Sequence, residues 1–472
     1  MKSVCIYFCF LLCHLTAHSE ITLPDVFSDN LVLKQNSKVK LWGNAEPEKI
    51  LSVTATWSNE VFSTKTDCDG KWVIDIKTPS GSFNSQEIFI NQSNSNHTIS
   101  NVLIGEVWFC SGQSNMEMFF KGFNNQPIDG AKEVIARANK KNGIRILTTR
   151  RNLPDEITLE AKGKWELSTP KNMLYFSAVA YHFALELKQQ LKVPVGIINS
   201  SYGGSTIEGW MNKETLREYE DVDIFSPVPD STKWKKPLAM YNGMIYPYIK
   251  FSISGFLLYQ GEGSIDKYRT YKTKLEKLVN LWRSNWIDGN YLPFYIVEIT
   301  PYLYDHPTEA ALLREAQYKA SQQLENCEIV STNDLLLDHE KNTAHPSLKA
   351  PIGIRLANLA LYYDYGKLHL KPLNPSLVRG KQHGSKFEIT IQNVYDGIQL
   401  ESEFIGFEIS GEDRVFYTAK AILNKDKKSF LISAPEVEHP ISVRYSFKHL
   451  QIGNVKNSEG LPLIPFRTDD WD

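Results

Sequence analysis

Residues 105–373 alternate between short apolar runs and amphipathic segments, and this alternation restricts the fold more than any other feature of the sequence. Buried strands are predicted at 107–109, 195–198, 253–259, 294–297 and 329–330. Helical periodicity is found at 131–140, 178–191, 271–282, 309–324 and 351–363. Strands that alternate with helices form parallel sheets with helices on both faces. The sequence therefore predicts an α/β fold, with a three-layer parallel-sheet domain over 105–373.

Both flanks of this domain are predicted to consist of β-strands. Residues 20–104 contain short alternating runs such as 38–42 and 51–57, separated by Gly, Asn, Asp and Ser, which is typical of a β-sandwich-like domain. Strand-like runs return at 387–391 and 404–409, so a second β module is expected over 374–472. A chain of 472 residues with 42% hydrophobic residues is large enough for such an arrangement of separate cores.

The first nineteen residues have the pattern of a secretory signal. Lys2 precedes an apolar run at 4–12 that is too short to span a bilayer, and Ala17 and Ser19 are small. We expect cleavage after Ser19, export to the periplasm or the extracellular space, and no membrane span afterwards. Three cysteines remain, at positions 68, 110 and 327, so at most one disulfide is expected and the protein is no disulfide scaffold.

Charge and motif content exclude several classes of function. The 52 Lys and Arg residues balance 54 acidic residues, so nucleic acid is not an expected partner. The sequence contains no H-E-x-x-H, paired C-x-x-C, EF-hand, G-x-G-x-x-G or P-loop motif, and we expect neither a metal nor a cofactor. A glycosidase would need two opposed carboxylates, and acids such as Glu262, Glu298 and Glu315 cannot be paired from the sequence, which leaves this a weaker alternative.

Ser114 is the candidate nucleophile. It lies in a small polar turn, residues 111–116, between a buried strand and a predicted helix, where backbone N–H groups are available to a developing oxyanion. The turn differs from the G-x-S-x-G elbow of α/β-hydrolases because Met116 occupies the place of the second glycine. The alternative interpretation of Ser114 is a helix N-cap without catalytic function.

Two further polar loops follow predicted strands. Residues 199–210 include Gly203 and Gly204, whose N–H groups are candidates for an oxyanion hole, although a glycine pair also occurs in simple turns. Residues 259–264 include Gln260 and Glu262. Because ligands of open α/β sheets bind at the carboxyl ends of the strands, we expect both loops to lie near Ser114.

His345 is the candidate general base. It lies late in the α/β domain, after Ser114, in a chain order that is known for serine hydrolases. The His-Pro dipeptide is not itself a signal, because His306 and His439 are also followed by proline, and many single histidines are structural.

Together these segments resemble the sialate O-acetylesterase family, secreted carbohydrate esterases of the SGNH hydrolase class. The resemblance spans nearly the whole chain after residue 19 and is carried by residues 105–108, 112–116, 203–210, 241–245, 259–262, 314–317, 345–346, 459–462 and 465–469. It implies an SGNH-hydrolase-like fold for 105–373. It also implies that Ser114 attacks an acetyl carbonyl, that His345 acts as base and then acid, and that the N–H groups of Ser114 and of Gly203 or Gly204 hold the oxyanion.

Two positions depart from the pattern expected for this family. Ser264 occupies the place of an asparagine whose amide would point at the oxyanion, so its hydroxyl becomes the candidate donor. Asn342, Thr343 and Ala344 precede His345 without the expected aspartate, which leaves a backbone carbonyl or a remote acid such as Asp338 to orient the imidazole. The candidate substrate-binding side chains are Gln113, Gln260 and Glu262.

The resulting hypothesis is a secreted serine esterase that removes O-acetyl groups from a sugar, with 9-O-acetylated sialic acid as the first candidate substrate. An esterase acting on acetylated xylan or another polysaccharide is the first alternative. A carbohydrate-binding protein whose esterase site has decayed is the second, motivated by the departures at Ser264 and Thr343.

Overall fold

The computed structural model describes residues 20–93, 95–287, 289–305 and 307–471, so the predicted signal segment lies outside the described residues. The strands of the first part of the chain are β1 (Val32–Lys34), β2 (Lys38–Asn44), β3 (Ile50–Ala55), β4 (Ser58–Lys65), β5 (Lys71–Lys77), β6 (Ser82–Gln92) and β7 (Ser95–Gly112). Those of the middle are β8 (Ile144–Thr148), β9 (Trp165–Leu167), β10 (Val195–Ser201), β11 (Gly255–Tyr259), β12 (Phe294–Val297) and β13 (Cys327–Val330).

Among the residues that the structure describes, the α-helices all lie in the middle part. They are α1 (Ser114–Glu117), α2 (Ala131–Ala136), α3 (Pro170–Met173), α4 (Ala178–Leu191), α5 (Lys213–Leu216), α6 (Tyr268–Asn285), α7 (Pro307–Gln323) and α8 (Ala350–Tyr363). The last part contains β14 (Ser376–His383), β15 (Lys386–Gln392), β16 (Phe407–Ser410), β17 (Tyr417–Thr418), β18 (Lys420–Leu423), β19 (Ser429–Ser433), β20 (Ser442–Tyr445) and β21 (Phe466–Arg467).

The middle part is built on a parallel sheet, as the alternation of strands and helices predicts. The strand order is β13-β12-β11-β7-β10-β8-β9, and every pair is parallel except β8 with β9. Side chains alternate across β7: Trp108 and Cys110 pack with α4 and α8 on one face, whereas Val107 and Phe109 pack with α6 and α7 on the other. This three-layer arrangement confirms the α/β fold class.

Strand β7 also belongs to the sheet of the N-terminal part. Its first half pairs with β6 and β1, and its second half pairs with β10 and β11. The expected boundary between residues 104 and 105 therefore falls inside one continuous strand. Strands β2 and β5 form a separate two-stranded sheet, so residues 20–104 carry two sheets as a β-sandwich-like part should.

The site-forming edge of the central sheet is set by the strand order. The chain crosses from one side of β7 to the other between β10 and β11, so the carboxyl ends of these three strands frame a crevice. The loops that follow β7, β10 and β11 are the three polar loops identified in the sequence.

The C-terminal part is a sandwich of two four-stranded antiparallel sheets, β14-β15-β19-β18 and β17-β16-β20-β21. Their inner faces share one apolar core that includes Ile389, Phe407, Phe430 and Tyr445. The sandwich contacts α7 through an ion pair between Glu315 and Arg467 with N–O distances of 3.1 and 3.0 Å. Glu315 thus joins the two parts and is not at the polar loops that frame the crevice.

The three cysteines at positions 68, 110 and 327 are free, and the last two are buried. Within the described residues, no helix combines the length and the apolar character that crossing a bilayer requires.

Candidate active site

Ser114 and His345 meet at the carboxyl end of β7. Ser114 begins α1 directly after the strand, and His345 lies in the loop before α8. The distance between Ser114 Oγ and His345 Nε2 is 2.7 Å, and both residues are partly exposed. A contact of this length allows the imidazole to take the hydroxyl proton as the oxygen attacks a carbonyl carbon. The structure therefore brings together the two residues that were predicted as nucleophile and base.

Gln126 orients the imidazole. Its Oε1 lies 2.8 Å from His345 Nδ1, and because a carbonyl oxygen only accepts, Nδ1 carries the ring proton and Nε2 is free to accept from Ser114. The ring of Phe123 packs edge-on against the imidazole with centroids 5.1 Å apart. Asp338 is fully exposed and pairs with Lys341. The partner of Nδ1 is therefore the Gln126 amide, in place of the remote acid or backbone carbonyl that was expected.

The electrostatic surroundings keep His345 neutral. Burial, together with the positive charge of Lys349, lowers the pKa of His345 to about 4. A neutral imidazole is the form that accepts a proton, so His345 is ready to act as a base at neutral pH.

Gly203 and Gly204 lie in the loop after β10, beside the nucleophile. A β-carbon built on Gly203 would lie 3.4 Å from Ser114 Cβ. The Gly203 N–H, however, donates to Glu117 Oε2 at 2.8 Å. Among the described residues, no acceptor is found for the N–H groups of Ser114 and Gly204. These two groups, and not that of Gly203, are available to an oxyanion.

Ser264 joins the loops after β10 and β11. Its hydroxyl is fully buried and accepts hydrogen bonds from Ile207 N–H at 3.1 Å and from the Gln260 amide at 3.3 Å. Donation from this hydroxyl to an oxyanion stays a prediction.

Gln113 and Gln260 are also buried and build the loop after β11. Gln113 Oε1 accepts from the N–H groups of Gly261 and Gly263, at 3.2 and 3.1 Å. Gln260 Oε1 accepts from the Tyr271 hydroxyl at 2.8 Å. With these partners the two amides hold the backbone of the site, and their contact with substrate stays a prediction.

Asn115 connects the serine and histidine segments. Its Nδ2 donates to Glu262 Oε1 at 2.6 Å and to the Ala344 carbonyl at 3.0 Å, and its Oδ1 accepts from Lys349 Nζ at 2.6 Å. Burial raises the pKa of Glu262 and lowers that of Lys349 to about 7. Because Asn115 supplies partners to both buried groups, it fixes the His345 loop relative to Ser114.

A cavity of about 760 Å³ adjoins the loops of this site. Gly204, Glu262 and Gly263 from the loops after β10 and β11 line it, together with the exposed Asp223 and Asp266. Its volume lies within the range of small-molecule sites. Of the three candidate substrate-binding side chains, Glu262 is the one that lines this cavity.

The sequence predicted some of the residues of this site and missed others. Gln126 and Asn115 were not singled out, because an amide in a loop belongs to no periodic pattern and carries no motif of its own. The position of Asn115 next to Ser114 was the one available hint. Gln126 lies 219 residues from its partner in sequence.

Comparisons with known proteins relate the central part of the chain to a described family. A family model described as carbohydrate esterase, sialic acid-specific acetylesterase matches residues 104–362. The human sialate O-acetylesterase is 28% identical over 298 residues, which is 58% of this chain and 56% of the human protein. The mouse sialate O-acetylesterase is 26% identical over 328 residues, 59% of this chain and 60% of that protein. The chain thus spans little more than half the length of these curated relatives.

A solved structure extends the likeness to the whole fold. The crystal structure of a carbohydrate acetylesterase from Xanthomonas citri is similar with a TM-score of 0.85 and 27% sequence identity, and the match covers 96% of this chain and 100% of that one. The flanking β parts are therefore shared with that protein, as well as the central sheet.

Proposed function

The chain belongs to the carbohydrate esterase family of sialic acid-specific acetylesterases, and from this premise we propose that it removes O-acetyl groups from sugars as a serine-dependent carboxylic ester hydrolase. The observation that carries the proposal is the 2.7 Å contact between Ser114 Oγ and His345 Nε2. The same contact argues against a carbohydrate-binding protein whose esterase site has decayed, because the nucleophile and the base that ester hydrolysis requires are both in place.

In the first half of the reaction, Ser114 Oγ attacks the acetyl carbonyl carbon while His345 Nε2 takes the hydroxyl proton. The carbonyl oxygen becomes an oxyanion, which the N–H groups of Ser114 and Gly204 stabilise. The bond to the sugar oxygen then breaks, and His345 returns its proton to that oxygen, which leaves an acetylated Ser114.

In the second half, water replaces the sugar. His345 Nε2 takes a proton from the water as its oxygen attacks the acetyl carbon. When the second oxyanion collapses, the bond to Ser114 Oγ breaks, His345 returns the proton to Oγ, and acetic acid leaves and ionises to acetate. Gln126 keeps the imidazole in the correct tautomer throughout, and its carbonyl dipole stabilises the imidazolium without a full negative charge.

The first candidate substrate is 9-O-acetylated sialic acid, supported by the description of the family and by the names of the human and mouse relatives. Its acetyl group would lie beside Ser114 and Gly204, where the nucleophile and the free N–H groups are found. We further propose export under the leader 1–19 and a division into units 20–104, 105–373 and 374–472, of which the first two share β7.

The test is acetate release by the chain from Glu20 onward, with O-acetylated sialic acid, acetylated xylan and 4-nitrophenyl acetate as substrates. We expect turnover of the sialic acid ester and a loss of about 10⁴–10⁶-fold in Ser114→Ala. Preferred turnover of acetylated xylan would move the proposal to a polysaccharide acetylesterase. Equal rates for the parent chain and Ser114→Ala on all three esters would refute it.

A further inference from the structure

Acidic side chains prevail in the cavity that Gly204 helps to line. Among the described residues, six carboxylate residues and two lysines line it, and the carboxylates include the exposed Asp223 and Asp266. Buried Lys274 offsets two of those carboxylates, Glu208 and Asp221, through contacts of 2.9 and 2.6 Å. The remaining acids give the cavity a negative excess. Arg151 is not among the residues that line this cavity, and it lies against Glu117 and Tyr202.

Arg151 is held in place by two neighbours. Its Nη2 donates to Glu117 Oε1 at 2.8 Å, and its guanidinium carbon lies 4.3 Å from the centre of the Tyr202 ring. Glu117 takes one of the five N–H donors of the guanidinium, and 55% of the side chain is exposed. The charged group is therefore fixed in orientation and open to a ligand.

Arg151 is also close to the reacting centre. The second carboxylate oxygen of Glu117 accepts the Gly203 N–H at 2.8 Å, and Gly203 is the residue whose built β-carbon lies 3.4 Å from Ser114 Cβ. One carboxylate thus separates the guanidinium from the oxyanion loop, a separation that the body of a single sugar can span.

We propose that Arg151 binds the carboxylate of an acidic acetylated sugar at this site and so makes the enzyme selective for acidic over neutral sugar esters. A guanidinium binds a carboxylate through two parallel hydrogen bonds, whereas the acidic cavity repels it, so the sugar is held with its carboxylate toward Arg151. The inference rests on the proposed esterase function and adds the residue that distinguishes acidic from neutral substrates.

The test compares kcat and KM of the full chain and of Arg151→Gln on O-acetylated sialic acid and on a neutral acetylated xylo-oligosaccharide. We expect KM for the acidic ester to rise about 10- to 100-fold, with a change at least tenfold smaller for the neutral ester. Arg151→Lys should recover part of the loss, because it keeps the charge without the planar fork. Added salt should raise KM for the acidic ester in the parent chain more than in Arg151→Gln.

Arg414→Gln is the matched control, because Arg414 is an exposed arginine 5.1 Å from the Trp471 ring in the C-terminal sandwich. It should change neither KM. Equal losses of Arg151→Gln on both esters would overturn the inference and assign Arg151 a structural role through Glu117, and so would an unchanged KM or a parent chain that prefers the neutral ester. Failure of the proposed function is separate: the parent chain would then hydrolyse neither ester nor 4-nitrophenyl acetate faster than Ser114→Ala.

Discussion

His345 Nδ1 donates its proton to the side-chain carbonyl of Gln126, 2.8 Å away, in the place where many serine hydrolases have a carboxylate. A neutral amide fixes the tautomer as a carboxylate does, but it stabilises the imidazolium only with a dipole. The imidazole of His345 is therefore oriented by a neutral side chain and not by a negatively charged one. This difference affects the expected rate and its pH dependence.

Replacing Gln126 should separate orientation from charge. We expect Gln126→Ala to lower kcat about 10²-fold, because the imidazole loses its tautomer and its direction. Gln126→Glu keeps the acceptor and adds a negative charge, so it should retain activity and move the acid limb of the pH profile to higher pH. Gln190→Ala is the control, because Gln190 is exposed and its amide donates a hydrogen bond to Glu186. A Gln126→Ala enzyme as active as the parent would show that the contact is not used.

The pH profile should report the low pKa of His345. Since the neutral ring is the base and its pKa is about 4, kcat/KM should rise with pH through about pH 4. An unperturbed histidine would place this limb near pH 6.5. A measured limb at that higher pH would contradict the burial of the ring and the effect of Lys349.

The same shift predicts instability in acid. Between pH 6.5 and about pH 4 the unfolded chain takes up a proton at His345 that the folded chain does not, so the free energy of unfolding falls as the pH decreases through this window. His345→Gln should lose less stability over that window than the parent chain in urea titrations at each pH. Parallel losses in the two proteins would exclude this contribution.

Gly204 should be sensitive to a single methyl group. Its φ is +77°, and a β-carbon would lie 3.0 Å from the Trp234 ring, so Gly204→Ala should displace the N–H that faces the oxyanion and lower kcat about 10²–10³-fold. Gly130→Ala has a similar φ of +68° with no atom within 4 Å of the new carbon, so it should cost stability without loss of rate. Comparable rates for the two variants would contradict the assignment.

Asn115 should be important for stability as well as for rate. Asn115→Ala leaves buried Lys349 and Glu262 without their shared partner, and we expect a loss of about 3 kcal/mol in the free energy of unfolding together with reduced kcat. Asn139→Ala, in an exposed turn, should change stability by less than about 0.5 kcal/mol. Urea unfolding of both variants measures the difference, and equal stabilities would refute the bridging function.

The sequence predicted what depends on local pattern. The strands at 195–198 and 294–297 and the helix at 178–191 follow from runs of apolar residues, which report burial directly. Ser114 and His345 were proposed as nucleophile and base because of their positions relative to those predicted elements and because of the family resemblance. The contact between them depends on the tertiary fold and required the structure.

The change of sequence pattern near residue 104 does not coincide with the end of a strand. In the sequence, Gly105 was taken as the boundary between two units, but it lies within β7. A β-carbon on Gly105 would lie 2.1 Å from the Pro194 carbonyl oxygen. The glycine is required by the close approach of a neighbouring backbone and does not mark a turn. Arg151 was likewise missed, because the two neighbours that fix it, Glu117 and Tyr202, are distant in sequence.

The most direct test of the account is the site of labelling by diisopropyl fluorophosphate, which reacts with a serine hydroxyl that a neighbouring base activates. Peptide mass spectrometry should find one modified serine, Ser114, and esterase activity should fall in proportion to its labelling. His345→Ala should suppress both the labelling of Ser114 and the esterase activity. Full labelling at another serine, or activity that survives complete modification of Ser114, would contradict the claim that Ser114 and His345 perform the reaction.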